Sequence, residues 1–282
     1  MVAILGGLGA ALAWCASTVC SSRSSRMVGP ASVVGWIALV GLFATAPFVA
    51  ADGVPAGLDA GTVAWLAIAG VGNIAGLLVA YAAYRIGDVS LIAPIIATEG
   101  AIAATIAFLA GEAVEAATAV TLAAIATGVS LAAMPARDPA RRAQRPAGVV
   151  ALAAAAAVCF GISLYATGHV SSRLPVAWVV LPPRVLGTLA VAVPLLLAGR
   201  LRLTRPAAPL VAVAGICEVL GFAAFALGAR HSLAVAAVLS CQFAAMSAVV
   251  GYVLFRERLD RTQLGGVIVV LAGVTVLSGL RG

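Results

Sequence analysis

Charge is what this sequence has least of. Asp, Glu, Lys and Arg make up 10% of it, against about a quarter in a soluble domain. That shortage excludes an ordinary water-soluble fold. Lysine is missing altogether, so the net charge of +7 rests on 17 arginines; its absence follows genome composition rather than function. In a soluble protein such a balance would suggest nucleic acid. Here the arginines fall between apolar runs, so they read as topology signals, and no nucleic-acid partner is expected.

Reactive constellations are equally scarce. The five cysteines (Cys15, Cys20, Cys159, Cys217, Cys241) have no CxxC or Cys/His spacing, which excludes a disulfide framework and a zinc site. There are two histidines, His169 and His231, both placed in breaks and read as solvated. No HExxH, DDxxD, Ser/His/Asp arrangement or phosphate loop occurs. The run GVGNIAG at 70–76 is not GxGxxG and follows no strand, so it does not mark a dinucleotide site. No catalytic residue, metal or cofactor is therefore expected. The N-terminus lacks the basic n-region of a signal peptide, and Trp14 stands where a lipoprotein cleavage site needs a small residue, so the stretch reads as a retained first helix.

What the chain does have is apolar length. It is 63% hydrophobic, with a mean hydropathy of +1.14. A bilayer-spanning helix needs about 20 mostly apolar residues. Ten runs qualify, at roughly 2–20, 31–50, 62–84, 89–110, 115–134, 147–167, 176–198, 207–228, 233–254 and 263–280. The fold class is thus an all-α membrane protein with ten transmembrane helices.

The stretch 69–112 repeats itself. Shifted by 145 residues without a gap it falls on 214–257, so that Gly70 meets Gly215, Gly76 meets Gly221, Arg85 meets Arg230 and Glu112 meets Glu257. Further on, Glu115 meets Asp260 and Gly128 meets Gly273. The chain reads as a first five-helix unit at 1–134, a basic linker at 135–147 and a second unit at 148–282. Five is odd, so the second copy enters the membrane from the opposite side. Inverted repeats of this kind are typical of secondary transporters, with the site near the midplane between halves.

Orientation follows the arginines. The breaks after helices one, three, five, seven and nine hold 13: Arg23, Arg26, Arg85, Arg137, Arg141, Arg142, Arg145, Arg200, Arg202, Arg205, Arg256, Arg258 and Arg261. The other side holds Arg173, Arg230 and Arg281, and Arg184 lies inside a helix. The odd-numbered breaks are placed in the cytoplasm and both termini outside.

Several segments resemble a known family: YRIGDVSLIAPI at 84–95, the Gly111-Glu112 pair, RHSLAVAAVLS at 230–240 and RERLDRTQLGGVIVVLAGV at 256–274. Trp14 and the Phe160-Gly161 pair are similar to an aromatic-plus-small signature in the first helix of each repeat, and PPR at 182–184 to an arginine-bearing segment in the second. With these motifs the chain resembles the EamA-type transporters of the drug/metabolite transporter superfamily over nearly its whole length. The first copy departs from that pattern, with Trp36 near where the family often has the arginine. The resemblance implies a plasma-membrane carrier, monomeric or homodimeric, that exports an amino acid, a similar metabolite or a drug.

An ionisable residue at mid-membrane costs roughly 2.5–3.5 kcal/mol on insertion scales, so it asks for a reason. Glu99, Glu218 and Arg184 are the three such residues. Either one glutamate pairs with Arg184 and locks two helices, or all three line a central cavity. Glu99, among apolar neighbours, can exchange protons with a transported substrate or bind a cationic group; the sequence leaves both open. Asn73 is the repeat equivalent of Glu218, and each precedes a glycine by three residues on one helix face. Trp14, Tyr81, Tyr165 and Gln242 complete the candidates for substrate contact. Gln242 is notable because a membrane amide needs a partner. Pro94 and Pro182-Pro183 are expected to kink their helices, and Glu112 and Glu257 to act as helix-end residues.

The rival functions are less favoured by the residues. An intramembrane enzyme needs a nucleophile with a base, or a metal cluster, and none is visible. A non-transporting bundle needs the buried charges to pair off among themselves. The expected partners are a small-molecule substrate, the bilayer and protons.

Overall fold

A short helix-breaking signal between long apolar runs leaves the chain little choice but antiparallel helices. The computed structural model describes residues 1–87, 89–112, 116–132, 148–243 and isolated positions between 246 and 276. From the first half come α1 (Val2–Val28), α2 (Pro30–Asp52), α3 (Ala60–Ile86), α4 (Val89–Ile96), α5 (Glu99–Leu109) and α6 (Ala116–Ala132). The second half gives α7 (Val149–Ser171), α8 (Val176–Leu197), α9 (Ala208–Ala229) and α10 (Leu233–Ser240). No strand occurs among the described residues. Six helices, α1, α2, α3, α7, α8 and α9, are long and apolar enough to cross a membrane. Asp88, Glu115, Ala244, Glu257, Asp260, the linker 135–147 with its four arginines, Arg256, Arg258, Arg261, Arg281 and most of the tenth run lie outside the described residues.

Three runs differ from the sequence reading. The first extends past residue 20 through the polar stretch Ser21–Arg26 to Val28. The serines are absorbed because Ser22, Ser24 and Ser25 donate back to Val19, Ser21 and Ser22 carbonyls at 3.0–3.3 Å, a local bond that lets a hydroxyl lie inside a helix. Arg26 then reaches across to the end of α3, donating to the carbonyls of Tyr84 (3.4 Å) and Gly87 (3.1 Å), which a helix C-terminus leaves unpaired. The fourth run is not one helix but two. The carbonyl of Ile95 takes both the N–H and the hydroxyl of Thr98, at 3.2 and 2.7 Å, and α4 ends in a tight turn. Gly100 N–H donates to Cys241 Sγ at 3.1 Å instead of continuing the ladder. A turn also interrupts the ninth run, at Cys241-Gln242, and Gln242 is the position that a shift of 145 residues assigns to Ala97. Within α8, Pro182 and Pro183 are followed by a π-helical turn, Thr188–Ala192.

Packing joins the halves rather than closing each upon itself. α1 lies along α9, and its repeat equivalent α7 lies along α3; α2 faces α8, and α5 crosses α10. The close contacts use glycine. A Cβ on Gly76 would stand 2.6 Å from two ring carbons of Phe160, and one on Gly221 would stand 2.6 Å from Cδ1 of Trp14. Each half thus sets an aromatic of its first helix against the third-helix glycine of the other. Close backbone approach through small residues is the usual way membrane helices associate.

The ends are chemically distinct. At one, Arg26 meets Gly87, and Ser32 and Trp36 bond to the backbone of Arg200 and Arg202; Arg23, Arg85 and Arg205 belong to the same breaks. At the other, Trp178 Nε1 donates to Gly53 O (2.8 Å) and Arg230 donates to the Ser171 and Leu174 carbonyls (both 2.7 Å). There Glu112 accepts from Ser232 Oγ (3.1 Å) and Ala234 N (3.3 Å), tying the end of α5 to the start of α10. Asp59 caps α3 through the Thr62 N–H at 2.7 Å, a bond that holds its carboxyl below the usual range.

The reciprocal packing has a direct check. Gly221→Ala forces the Trp14 indole aside and lowers unfolding stability by about 1–3 kcal/mol, the usual cost of overpacking. Trp14→Ala in the same chain recovers part of that loss, so the double variant is more stable than the sum of the singles. Thermal unfolding in detergent measures all four proteins.

Candidate functional site

Where α1, α3, α7 and α9 come together they leave a cavity. Trp14 and Thr18 reach it from α1, Asn73, Leu77, Tyr81 and Tyr84 from α3, and Glu99 from the first turn of α5. Phe160, Ser163 and Leu164 of α7, Glu218 and Phe222 of α9, and Phe243 close it. The cavity volume is about 50 Å³, room for a few waters at roughly 10–15 Å³ each and well below the roughly 300–1,000 Å³ of small-molecule pockets. A ligand of metabolite size therefore needs the walls to part.

Glycines bring the helices close enough to build this wall. Gly161, next to Phe160, is the point where α5 approaches α7: a Cβ there would stand 3.0 Å from the Glu99 carbonyl oxygen. Ser163 Oγ donates to Ala69 O at 2.7 Å, tying α7 to α3 beside Asn73. The turn at 97–98 makes Glu99 the first residue of α5, and an acidic side chain is favourably placed at a helix start.

The three buried charges do not form one cluster. Arg184 is fully buried, at 0% exposure, and is not part of the cavity wall. Its Nη2 lies 3.8 Å from Glu218 Oε2 and donates to the Glu218 main-chain oxygen at 3.2 Å. Its guanidinium carbon stands 5.4 Å from the centre of the Phe222 ring, within cation–π range. Room for the stem comes from Gly41 on α2, where a Cβ would stand 2.6 Å from Arg184 Cδ. Ser17 Oγ donates to Glu218 Oε1 at 3.0 Å. Both Glu218 oxygens are thus engaged.

Glu99 is different. It is 5% exposed, faces the same cavity, and makes no hydrogen bond or ion pair with any described residue. Glu218 and Tyr84 are within electrostatic reach of it. Asn73 Oδ1 is likewise buried without a partner. The arrangement offers a free acid and an unpartnered carbonyl oxygen on a wall of aromatic and aliphatic side chains that also carries Thr18, Ser163 and the engaged Glu218.

Of the remaining sequence candidates, Tyr81 lines the cavity near Glu218 and Arg184. Gln242 sits in the ninth-run turn, 3% exposed, with both amide atoms unpartnered, one residue from the wall. Tyr165 lies apart, in a cluster with Trp65 (5.7 Å between ring centres) and His169 (6.0 Å). Trp36 bonds to Arg202 O at 3.1 Å. Sequence reasoning passed over Ser17, Thr18, Tyr84 and Phe222. Helical spacing was the available signal: Ser17 and Thr18 follow Trp14 by three and four residues, Tyr84 follows Tyr81 by three, and Phe222 follows Glu218 by four.

Comparison with known proteins now bears on this arrangement. The model of the family described as the EamA-like transporter family matches residues 1–134 and again 148–279. A solved structure, described as the crystal structure of a protein, superposes with a TM-score of 0.74 at 18% identity, covering 99% of this chain and 97% of its own; the likeness is one of fold. No curated protein matches the chain.

The two glutamates separate in a stability experiment. Glu218→Gln leaves the buried Arg184 guanidinium without its counter-charge and costs about 3–5 kcal/mol. Glu99→Gln, which breaks no contact, melts close to the wild type. Equal losses in the two variants would contradict the assignment of Glu218 as the partner of Arg184.

Proposed function

This chain belongs to the EamA-like transporter family, an integral membrane protein of the drug/metabolite transporter superfamily, and from that premise we propose that it is a secondary transporter that moves a small organic molecule across the plasma membrane by alternating access. The observation that carries the reading is the cavity whose walls come from both halves and whose one unpaired acid, among the described residues, is Glu99. A bundle that merely locked its charges away would pair Glu99 as it pairs Glu218.

In this reading the chain has ten membrane helices, with the units 1–134 and 148–282 in opposite orientation and 135–147 as a tether between them. The reciprocal contacts of Trp14 with Gly221 and Phe160 with Gly76 support a twofold pairing of the units, and an odd number of helices in each unit makes that pairing an inverted one. Rocking of one unit against the other opens the cavity to alternate sides. Export is the direction proposed. The end carrying Arg23, Arg26, Arg85, Arg200, Arg202 and Arg205 is placed in the cytoplasm by the positive-inside rule, with both termini outside.

Driving force is proposed to come from protons through Glu99. Its carboxyl faces Glu218, Tyr84 and Cys241, none of which neutralises it, so protonation there changes the charge of the cavity itself.

A thermal-shift screen of metabolites and drugs on the purified protein supplies a substrate, and proteoliposomes loaded with it release it faster than protein-free liposomes. Proton-dependent flux is expected to disappear in Glu99→Gln; flux with unchanged proton dependence in both Glu99→Gln and Glu218→Gln sinks the coupling. A reporter at either terminus that reads cytoplasmic reverses the orientation.

A further inference from the structure

The cavity has a sign. Four classes of small molecule are open to a transporter of this kind: anions, zwitterions such as amino acids, neutral compounds and cations. The groups on the wall discriminate between them, and the inference rests on the transport reading of the same site.

An anion or the carboxylate of a zwitterion needs a cation or a set of N–H donors to meet it. Arg184 is the one buried cation among the described residues, and it is withheld. It has no exposed surface, it does not line the cavity, and Phe222 and the Glu218 backbone lie against it. Its Nε and Nη1 are both unpartnered and without accessible surface; the Nε is on the side of Gly41, which belongs to α2 and not to the wall. The indole N–H of Trp14 is also unpartnered but is pressed against Gly221. Ser17 already donates to Glu218, and the other donors on the wall, the Thr18, Tyr81 and Tyr84 hydroxyls and the Asn73 amide, carry no positive charge.

An acceptor, by contrast, is presented. Glu99 faces the cavity with nothing bound to its carboxyl, and Asn73 stands on the same wall with its Oδ1 buried and without a donor. Around them stand the rings of Trp14, Tyr81, Tyr84, Phe160, Phe222 and Phe243. Aromatic faces attract cations, and a ring of them with a carboxylate is how ammonium groups are recognised. We infer that the transported substrate is a small organic cation, an amine with an apolar body whose ammonium group is held by Glu99 and Asn73 inside this aromatic wall.

Three probes with one phenyl body and different charge test it by titration calorimetry on the purified full-length protein: phenethylammonium, phenylalanine and 3-phenylpropionate. Phenethylammonium is expected to bind at least about tenfold tighter than phenylalanine, with 3-phenylpropionate weakest. Glu99→Gln should weaken phenethylammonium by about tenfold or more while leaving the melting temperature near that of the wild type; a tenfold change corresponds to about 1.4 kcal/mol. Glu99→Asp, which keeps the charge, should retain the order of the three. Equal or tighter binding of phenylalanine or 3-phenylpropionate, binding of none of the three, or unchanged amine affinity in Glu99→Gln overturns the inference. Flux of the same probes in proteoliposomes separates it from the transport reading. An amine that binds but does not cross defeats transport and leaves the cation site standing. Phenylalanine or 3-phenylpropionate that crosses in preference to the amine defeats the cation site and leaves transport standing.

Discussion

A guanidinium without access to water costs several kcal/mol even after the protein relaxes around it, and Arg184 is in that condition. Much of the described bundle is arranged about it. Glu218 supplies a counter-charge and a carbonyl, Phe222 a ring face, Gly41 the space for the stem, and Ser17 fixes the carboxylate from the far side. These groups belong to α1, α2, α8 and α9, so one buried charge sets the depth at which four helices meet. A helix that slid by one turn, about 5.4 Å, would leave the cation unmatched.

The same contact explains an asymmetry between the halves. α2 and α8 are repeat equivalents that face each other, and the guanidinium stem of one fills the place kept clear by a glycine of the other. Trp36 does not stand in for a second arginine; its indole anchors the end of α2 to the backbone at Arg202. The two halves share a scaffold, in which Gly76 and Gly221 do equivalent jobs, and divide the chemistry, with Asn73 at the place of Glu218.

Hydropathy made the apolar runs visible because burial in lipid leaves no room for frequent charge. The three ionisable residues were visible for the same reason. Which glutamate met Arg184 was not, since that depends on how deep each helix sits, a property of packing between helices that no local pattern encodes. The division at 97–98 was hidden too. Its cause is the hydroxyl of Thr98 closing on Ile95 together with a sulfur from the other half, Cys241, taking the Gly100 N–H; no local breaker announces the second of these. The helical continuation through Ser21–Arg26 was misread because serine and arginine are ordinary marks of a helix end, and here back-bonding and Arg26's reach to α3 reverse their meaning.

The pairing of α1 with α9 also bears on how the protein is made. The helix that α1 packs along begins at Ala208, more than two hundred residues downstream. At synthesis rates of about 5–20 residues per second, the first helix waits roughly 10–40 s in the membrane before its partner emerges. During that time Ser17 lacks Glu218, and Trp14 lacks Gly221 and Phe222. The early helices must be sheltered by lipid, by the insertion machinery or by one another, and the nascent chain closes upon itself late.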